Sequence, residues 1–230
     1  MIEYYTAIGQ YQLRRGEGGA QYPVLVQHGR EYIPTIPEML LWTKLMWHLR
    51  TGEELRSSYY DALAELHFME ELPFETVLQK LLDKGLVRCG TGYTAADALY
   101  ELIAPLALVP ATSSLGVQWM AFFHLLFARK VGLRMALRVF HRPKLDPDEK
   151  SAFALIRKAE MNCAELIACH DLGLRHLRND EMLVDALYTH PDLTCDNLPA
   201  YTRASAHKYT VLQAVAGLYH KRQILFEVYG

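Results

Sequence analysis

Residues 74–85 combine a helical apolar stripe with a glycine that follows it, and few folds accommodate this pattern. Five apolar side chains recur at the i, i+3, i+4, i+7, i+8 spacing of one helix face: Phe74, Val77, Leu78, Leu81 and Leu82. Gly85 predicts the end of this helix, and the run "LVRC" after it favours a strand. Such a helix buries one face in the core. The residues on its opposite face determine whether it also binds a partner.

Two further helices are expected before this stripe. The period becomes helical at Pro37, which suits a first helical position, and stays helical to Arg50. Thr51 and Glu54 then form a capping box, in which each side chain satisfies a backbone N–H of the other residue. The second helix is expected to run to about Leu66.

Strands are expected on both sides of these helices. In residues 1–36, strand formers alternate with Gly-rich turns, which predicts a small antiparallel sheet with His28-Gly29 at a hairpin tip. After the stripe helix, the glycines of "GTG" predict a tight turn. A further helix is expected from about Thr94 to Leu106.

Three helices, a strand and a tight glycine turn, with a spare strand upstream, resemble a winged helix-turn-helix. Residues 37–93 carry the resemblance, and "VLQKLLDKGLV" is similar to the recognition helix and first wing strand of many bacterial regulators. The resemblance implies a mainly α fold. It divides the chain into a β-hairpin extension (1–36), a winged-helix domain (37–110), a basic amphipathic connector (111–146) and a C-terminal helical domain (147–230).

The C-terminal part repeats some of these signals. Asn162 and Glu165 resemble a second capping box, after a helix that opens near Asp146. Thr210 to Gln213 repeats Thr76 to Gln79, and a strand-like "QILFEV" follows. The order of elements favours tandem winged helices as strongly as a single winged helix with an unrelated helical module.

Basic charge is concentrated in the middle of the chain. Residues 1–110 hold 9 Lys and Arg against 14 Asp and Glu, whereas residues 111–146 hold 6 against 1. The residues predicted there to contact phosphate or a partner are Arg129, Lys130, Arg134 and Arg138. The connector suits DNA phosphates, an anionic membrane surface or the acidic first module, within one molecule or across a homodimer. Its apolar block of 13 residues from Leu115 to Phe127 is too short to span a membrane, which takes roughly 20.

The winged-helix resemblance implies double-stranded DNA as a partner, contacted by the outward side chains of each third helix. Eight residues are predicted to bind DNA: Thr76, Gln79, Lys80, Lys84, Lys208, Gln213, Lys221 and Arg222. In the first helix, Glu75 and Asp83 offset the two lysines, which favours a solvated outer face as much as a DNA contact. In the second, Lys221 and Arg222 equally suit the negative end of the helix dipole.

The sequence has no pattern typical of a catalytic or metal site. It contains no Gly-rich phosphate loop, HExxH motif or nucleophile elbow. The four cysteines lack a CxxC pair and are expected to be reduced and buried: Cys89, Cys163, Cys169 and Cys195. We therefore expect a protein that is not an enzyme and uses no cofactor or metal. The first residues lack a secretory signal, which favours the cytoplasm.

Two functions are consistent with these features. The first is a transcriptional regulator that inserts one or both third helices into a DNA groove, with phosphate contacts from the connector. The second is a protein-interaction scaffold that uses the same modules without binding DNA, a role for which an acidic first module is no handicap.

Overall fold

The fold is mixed α/β, and the prediction of a mainly α fold is wrong. The structure is a computed structural model that describes residues 1–16, 19–66, 72–111, 143–189, 193–194 and 196–228. In it 49% of residues are helical and 22% lie in strands, which form three small antiparallel sheets in the described part of the chain. The prediction failed because Ile2–Ala7, expected in a separate extension, and Leu106, expected at a helix end, belong to strands that pair with distant parts of the chain.

The described elements follow one another in this order: β1 (Ile2–Ala7), β2 (Gln10–Arg15), β3 (Gln21–Gln27), β4 (Arg30–Tyr32), α1 (Ile36–Leu45), β5 (Arg50–Thr51), α2 (Gly52–Glu65), α3 (Phe74–Asp83), β6 (Val87–Gly92), α4 (Ala95–Ile103), β7 (Leu106–Pro110), α5 (Pro147–Ile156), α6 (Cys163–Asp171), α7 (Asp180–Tyr188), α8 (Leu198–Ala204), α9 (Lys208–His220) and β8 (Ile224–Val228). They build two modules of similar plan, with α4 between them in the chain.

The first module has a three-stranded sheet whose middle strand is the N-terminal one. Strand β1 lies between β5 and β6, antiparallel to both, so it is not part of a separate extension. Helices α1, α2 and α3 enclose a core that includes the fully buried Leu41, Leu55 and Leu81. The capping box of Thr51 and Glu54 is confirmed at the start of α2.

The second module repeats this plan. Strand β7 pairs with β8, and Ala107 on its other side bridges to Asn162, so β7 occupies the place of β1. Helices α5, α6 and α9 correspond to α1, α2 and α3, while α7 and α8 lie between α6 and α9. The capping box of Asn162 and Glu165 is confirmed at the start of α6.

Local details of the two modules match closely. The N-caps of α1 and α2, Thr35 and Thr51, are 16 residues apart, as are Asp146 and Asn162 of α5 and α6. In both modules a backbone hydrogen bond also joins the residue after the middle strand to the residue before the last strand of the module's helices-and-strand unit. The Ile8 amide donates to the Leu86 carbonyl at 2.9 Å, and the Ala111 amide donates to the Gln223 carbonyl at 2.8 Å.

Helix α4 crosses β6 at two glycines. A Cβ on Gly90 would lie 2.4 Å from the backbone nitrogen of Leu102, and one on Gly92 would lie 2.4 Å from that of Ala98. The helix comes so close to the strand that a side chain at either position would clash. The tight turn predicted at "GTG" is wrong because these residues continue β6 beneath the helix.

Strands β2, β3 and β4 form a separate sheet with β3 in the middle. His28 and Gly29, with φ of 48° and 70°, make the predicted turn between β3 and β4. Gly9 connects this sheet to the rest of the molecule. Its amide donates to the Phe226 carbonyl at 3.2 Å, and a Cβ there would lie 2.4 Å from the carbonyl oxygen of Val26.

Several expectations have only a partial outcome. Arg129, Lys130, Arg134 and Arg138 lie outside the described residues, as does Cys195. Within the described ranges, none of the helices has the length and apolar character needed to cross a bilayer, and no group of three or more metal-binding side chains is found.

Cys163 and Cys169 are buried free thiols, and burial raises the pKa of each to about 12.

Candidate functional site

The outer face of α3 is open to solvent but has no excess of positive charge. Its exposed residues include Thr76, Gln79 and Lys80. Gln79 Nε2 donates to Asp83 Oδ1 at 2.8 Å, and Glu75 pairs with Arg56 of α2. DNA phosphates attract a surface with a surplus of Lys and Arg, and this face lacks one.

Lys84 and Lys221, both predicted to contact DNA, form matching internal ion pairs instead. Lys84 Nζ lies 2.6 Å from Glu38 Oε1, and Lys221 Nζ lies 2.5 Å from Glu149 Oε2. Both glutamates are buried, and each is the third residue of the first helix of its module. In each module a lysine at the end of the third helix is thus tied to the start of the first helix.

The pKa values of these groups follow from the pairing. Burial alone raises the pKa of Glu38, but hydrogen bonds from Lys84 and Thr35 outweigh it and lower the pKa below its ordinary value. The hydrogen bond to Glu149 raises the pKa of Lys221. A lysine held by a buried carboxylate is not free to replace the counterions of a phosphate backbone.

The other residues predicted on α9 do not form a common DNA-binding face. Lys208 Nζ lies 3.6 Å from Asp97 and 5.7 Å from the centre of the Tyr100 ring. Gln213 is exposed on a narrow strip of α9 with Tyr209 and His220, and the rest of the helix packs against α4, α5 and α6. Arg222 lies beyond the helix end, in a groove between the modules.

This groove has a volume of about 820 Å³ and is largely apolar. Its described lining includes Met39, Met46 and Trp47 from α1 and the turn after it, with Val109, Pro110 and Leu225 from β7, β8 and their neighbourhood. Tyr11 of β2 also lines it. Methionine side chains are flexible and adapt to different apolar partners, which suits a binding surface.

Positive charge lies along one part of the groove. His48 and Arg222 line it, and Arg50 and His220 are close by. Burial lowers the pKa of His48, and repulsion from Arg50, His220 and Arg222 lowers it further, so His48 is uncharged at neutral pH and the positive charge comes from the two arginines. None of the described lining residues is acidic. The groove therefore favours a ligand that carries negative charge.

The residues in this part of the groove are held by contacts between the modules. His220 Nδ1 lies 2.8 Å from the carbonyl oxygen of Trp47, and the rings of His48 and His220 are 5.8 Å apart. Trp47 has a left-handed φ of 67°, and its ring lies 5.5 Å from that of the buried Tyr219. The turn after α1 and the end of α9 thus fix each other.

An open strand edge begins where the groove ends. Among the described strands, β2 is an edge of its sheet, and Tyr11 and Leu13 on it are 44% and 53% exposed. Leu13 lies opposite Pro23, which has no N–H, so this pair is not hydrogen-bonded across the sheet. The N–H and C=O groups of Tyr11, Leu13 and Arg15 therefore point away from β3, towards the open edge.

Of the groove residues, sequence reasoning identified Arg222 alone. Tyr11, Trp47 and His48 were missed because Tyr11 lies far from the other two in the chain and the three share no helical or strand period. The signal that was available is the run "WHLR", where the helical pattern of α1 gives way before Thr51. No family model, curated protein or solved structure matches this chain. Support for a function therefore comes from the geometry of the molecule.

Proposed function

We propose that this chain is a protein-interaction scaffold that binds an extended segment of a partner protein, apolar and acidic in composition. The observation that carries the proposal is the continuity of three features: an apolar groove, a cationic patch and an open strand edge, which meet at Tyr11. Each feature supplies one part of the recognition.

The strand edge supplies backbone hydrogen bonds. An extended segment can add to β2 as a further strand, using the outward N–H and C=O groups of Tyr11, Leu13 and Arg15. Every second side chain of that segment then faces the apolar side of β2. Natural edge strands are protected from non-specific pairing by charge, and Arg14 and Arg15 at the far end of β2 provide such protection.

The groove supplies side-chain specificity. Met39, Met46 and Trp47 accept apolar side chains, while Arg222 favours a neighbouring Asp or Glu. Charge complementarity of this kind selects partners and accelerates their encounter more than it adds affinity. A basic partner is disfavoured for the same reason.

The module architecture is compatible with this role. We infer that each module is a variant of the winged helix: three helices and a following strand are present in both, and in each the middle strand precedes the helices in the sequence. In the described residues β6 leads into α4 instead of a hairpin, because its sheet partner is β1. The β-ribbon that a winged helix lays on DNA is replaced by α4.

A peptide display experiment tests the proposal. Panning random peptides on the full chain should enrich extended sequences that alternate apolar residues with Asp or Glu. Enrichment of basic peptides, or of none, would overturn the proposal. Sedimentation of the free protein checks for a second copy as occupant, and self-association without peptide binding would also overturn it.

Two substitutions at Leu13 separate backbone from side-chain contacts. Leu13→Pro removes only an N–H that points to the open edge, so the fold should remain stable while peptide affinity falls about tenfold or more. Leu13→Thr keeps the N–H and should lose less. Equal affinity of the Leu13→Pro variant and the wild type would show that no strand adds to β2.

Charge in the groove is tested at Arg222. Arg222→Gln should weaken binding of an acidic peptide about fivefold, an effect that diminishes at high salt. Arg88→Gln is the matched control, because Arg88 is exposed on β6 outside the groove. Equal losses in the two variants would mean that net charge, and not the groove, attracts the peptide.

A DNA-binding regulator is the second candidate, and the exposed flank of α3 with Thr76, Gln79 and Lys80 favours it. Gel retardation of duplex DNA at low salt distinguishes the two functions. The scaffold should leave duplexes unretarded. Retardation that falls steeply with salt and is lost in Lys80→Ala would support the regulator instead.

A further inference from the structure

The helical core of the second module contains a cavity that the first module's residues would fill. The cavity has a volume of about 340 Å³ and lies between α5, α6 and α9. Small-molecule sites have volumes of roughly 300–1,000 Å³, so this cavity is at the small end of that range. Leu155, Leu166 and Val211 form part of its apolar wall.

Residue choice at corresponding positions opens the cavity. Counted from the helix N-caps or from the paired lysines, three lining residues are smaller than their counterparts in the first module: Ala152 for Leu41, Val211 for Phe74 and Ala214 for Val77. The three larger residues are all buried in the first module's core. Because protein interiors are normally close-packed, reductions at three neighbouring positions leave space for a ligand.

One wall of the cavity carries an unsatisfied polar atom. His170 Nδ1 is buried and has no hydrogen-bond partner in the described part of the chain. The corresponding residue of the first module, eight positions after the helix N-cap, is Tyr59, whose hydroxyl donates to the Leu72 carbonyl at 3.1 Å. Buried polar atoms of folded proteins are nearly always bonded, so His170 at the position of Tyr59 leaves the second module without a hydrogen bond that the first module makes.

Two opposite charges also line the cavity. Asp148 and Arg175 are both exposed, and neither forms an ion pair with a described residue. A guanidinium binds a carboxylate through two parallel hydrogen bonds, and a carboxylate binds an ammonium group. The charged groups thus match a ligand that carries both signs.

We propose that this cavity binds a small zwitterion with an apolar side chain, of the α-amino acid class. Arg175 receives its carboxylate, and Asp148 receives its ammonium group. The wall of Leu155, Leu166 and Val211 receives the apolar side chain. This site lies within the second module and is independent of the groove between the modules.

Calorimetric titration of the full chain tests the ligand class. The probes are L-leucine and L-phenylalanine, with L-leucinamide, which lacks the carboxylate, and 4-methylvalerate, which lacks the amine, as controls. The two amino acids should bind, and each control should bind about tenfold more weakly or less. Absence of binding at millimolar amino acid, or equal binding of all four compounds, would overturn the proposal.

Two variants locate the site. Ala214→Val restores the first module's residue and should abolish amino-acid binding while raising the melting temperature, which excludes unfolding as the cause. Arg175→Gln should weaken binding about tenfold without changing the melting temperature. His176→Gln is the matched control, since His176 is exposed on the same loop but does not line the cavity. Wild-type binding by both Ala214→Val and Arg175→Gln would refute the assignment.

Arg222→Gln distinguishes this site from the groove. The variant should bind amino acids as the wild type does, even though its affinity for acidic peptides falls. A loss of amino-acid binding in that variant would place the ligand between the modules and contradict the proposed site.

Discussion

Replacing Lys84 by Met measures how far the first module depends on its buried ion pair. Met keeps most of the apolar length of Lys but has no charge. The side chain of Glu38 is 4% exposed and that of Lys84 is 34% exposed, so Lys84→Met leaves a carboxylate buried beside the Thr35 amide, 2.9 Å away. Removing one partner of a fully buried pair costs about 3–5 kcal/mol. Because Lys84 is one-third exposed, we expect a loss of about 3 kcal/mol.

The loss should depend on pH. In the wild type the pKa of Glu38 is lowered, so its stabilising contribution is present above its unfolded pKa and is lost as pH falls through its folded pKa. In Lys84→Met, burial is no longer outweighed and raises the pKa of Glu38. Protonation then stabilises the variant, and the difference in stability should shrink as pH falls from about 7 to about 4.

Urea unfolding of both proteins at the two pH values measures the difference. A loss of about 3 kcal/mol corresponds to a melting temperature about 6–12 °C lower for a chain of this size. Lys80→Met is the control, since Lys80 is exposed on the same helix and should change stability by about 0.5 kcal/mol or less. A loss in Lys84→Met below about 1 kcal/mol at neutral pH, or one that does not change with pH, would refute the reasoning.

Three other variants or measurements address local features. Gly90→Ala should destabilise the protein by about 2 kcal/mol or more, because its Cβ would lie 2.4 Å from backbone, whereas at Gly52 the nearest atom is 3.6 Å away. Similar melting temperatures for Gly90→Ala and Gly52→Ala would contradict the close approach of α4. In the native protein at mildly alkaline pH, a thiol reagent should modify Cys163 and Cys169 more slowly than the half-buried Cys89, because burial raises the pKa of the first two thiols to about 12. Equal labelling of the three cysteines by mass spectrometry would contradict this. Arg222→Gly should raise stability by about 0.5–1 kcal/mol in urea unfolding, since Arg222 has a left-handed φ of 59° where the first module has Gly85 at 68°. A decrease would mean that the Arg222 side chain stabilises the fold by more than the backbone strain destabilises it.

The faces, ends and caps of single helices could be predicted from sequence, because residues close together in the chain determine them. The apolar stripe of α3, the end of that helix at Gly85 and the capping box at Thr51 depend on residues within one or two turns of each other. The place of β1 could not be predicted in this way. Its partners, β5 and β6, lie more than 40 residues away, and an alternating strand fits a hairpin and a sheet centre equally well.

The repeated run of four residues was a misleading guide to the internal repeat. Thr76 precedes Lys84 by 8 residues, whereas Thr210 precedes Lys221 by 11, so the two runs are not at corresponding positions of their helices. The two lysines do correspond, since each ends its helix and pairs with the third residue of the first helix. A correspondence based on a shared structural requirement is stronger than a short identity.

The groove could not be found from sequence because it depends on how two modules meet. Tyr11, Trp47 and Arg222 belong to three distant segments, and each side chain alone has an ordinary explanation in packing or helix termination. The cavity of the second module is different. Its signal was in the sequence, as Ala152, Val211 and Ala214, but it became readable only after the structure aligned them with Leu41, Phe74 and Val77.

The two modules show which parts of the plan the fold requires and which are open to change. Both retain the capping boxes, the backbone hydrogen bond beyond the middle strand and the buried glutamate with its lysine. These features connect the first helix, the third helix and the strands. The third helix differs: α3 keeps an open flank, whereas α9 is covered on several sides and has smaller residues facing α5 and α6. The shared plan therefore leaves the first module with a free helix face and the second with a cavity between its helices. A single DNA-binding role for both third helices does not follow from the duplication.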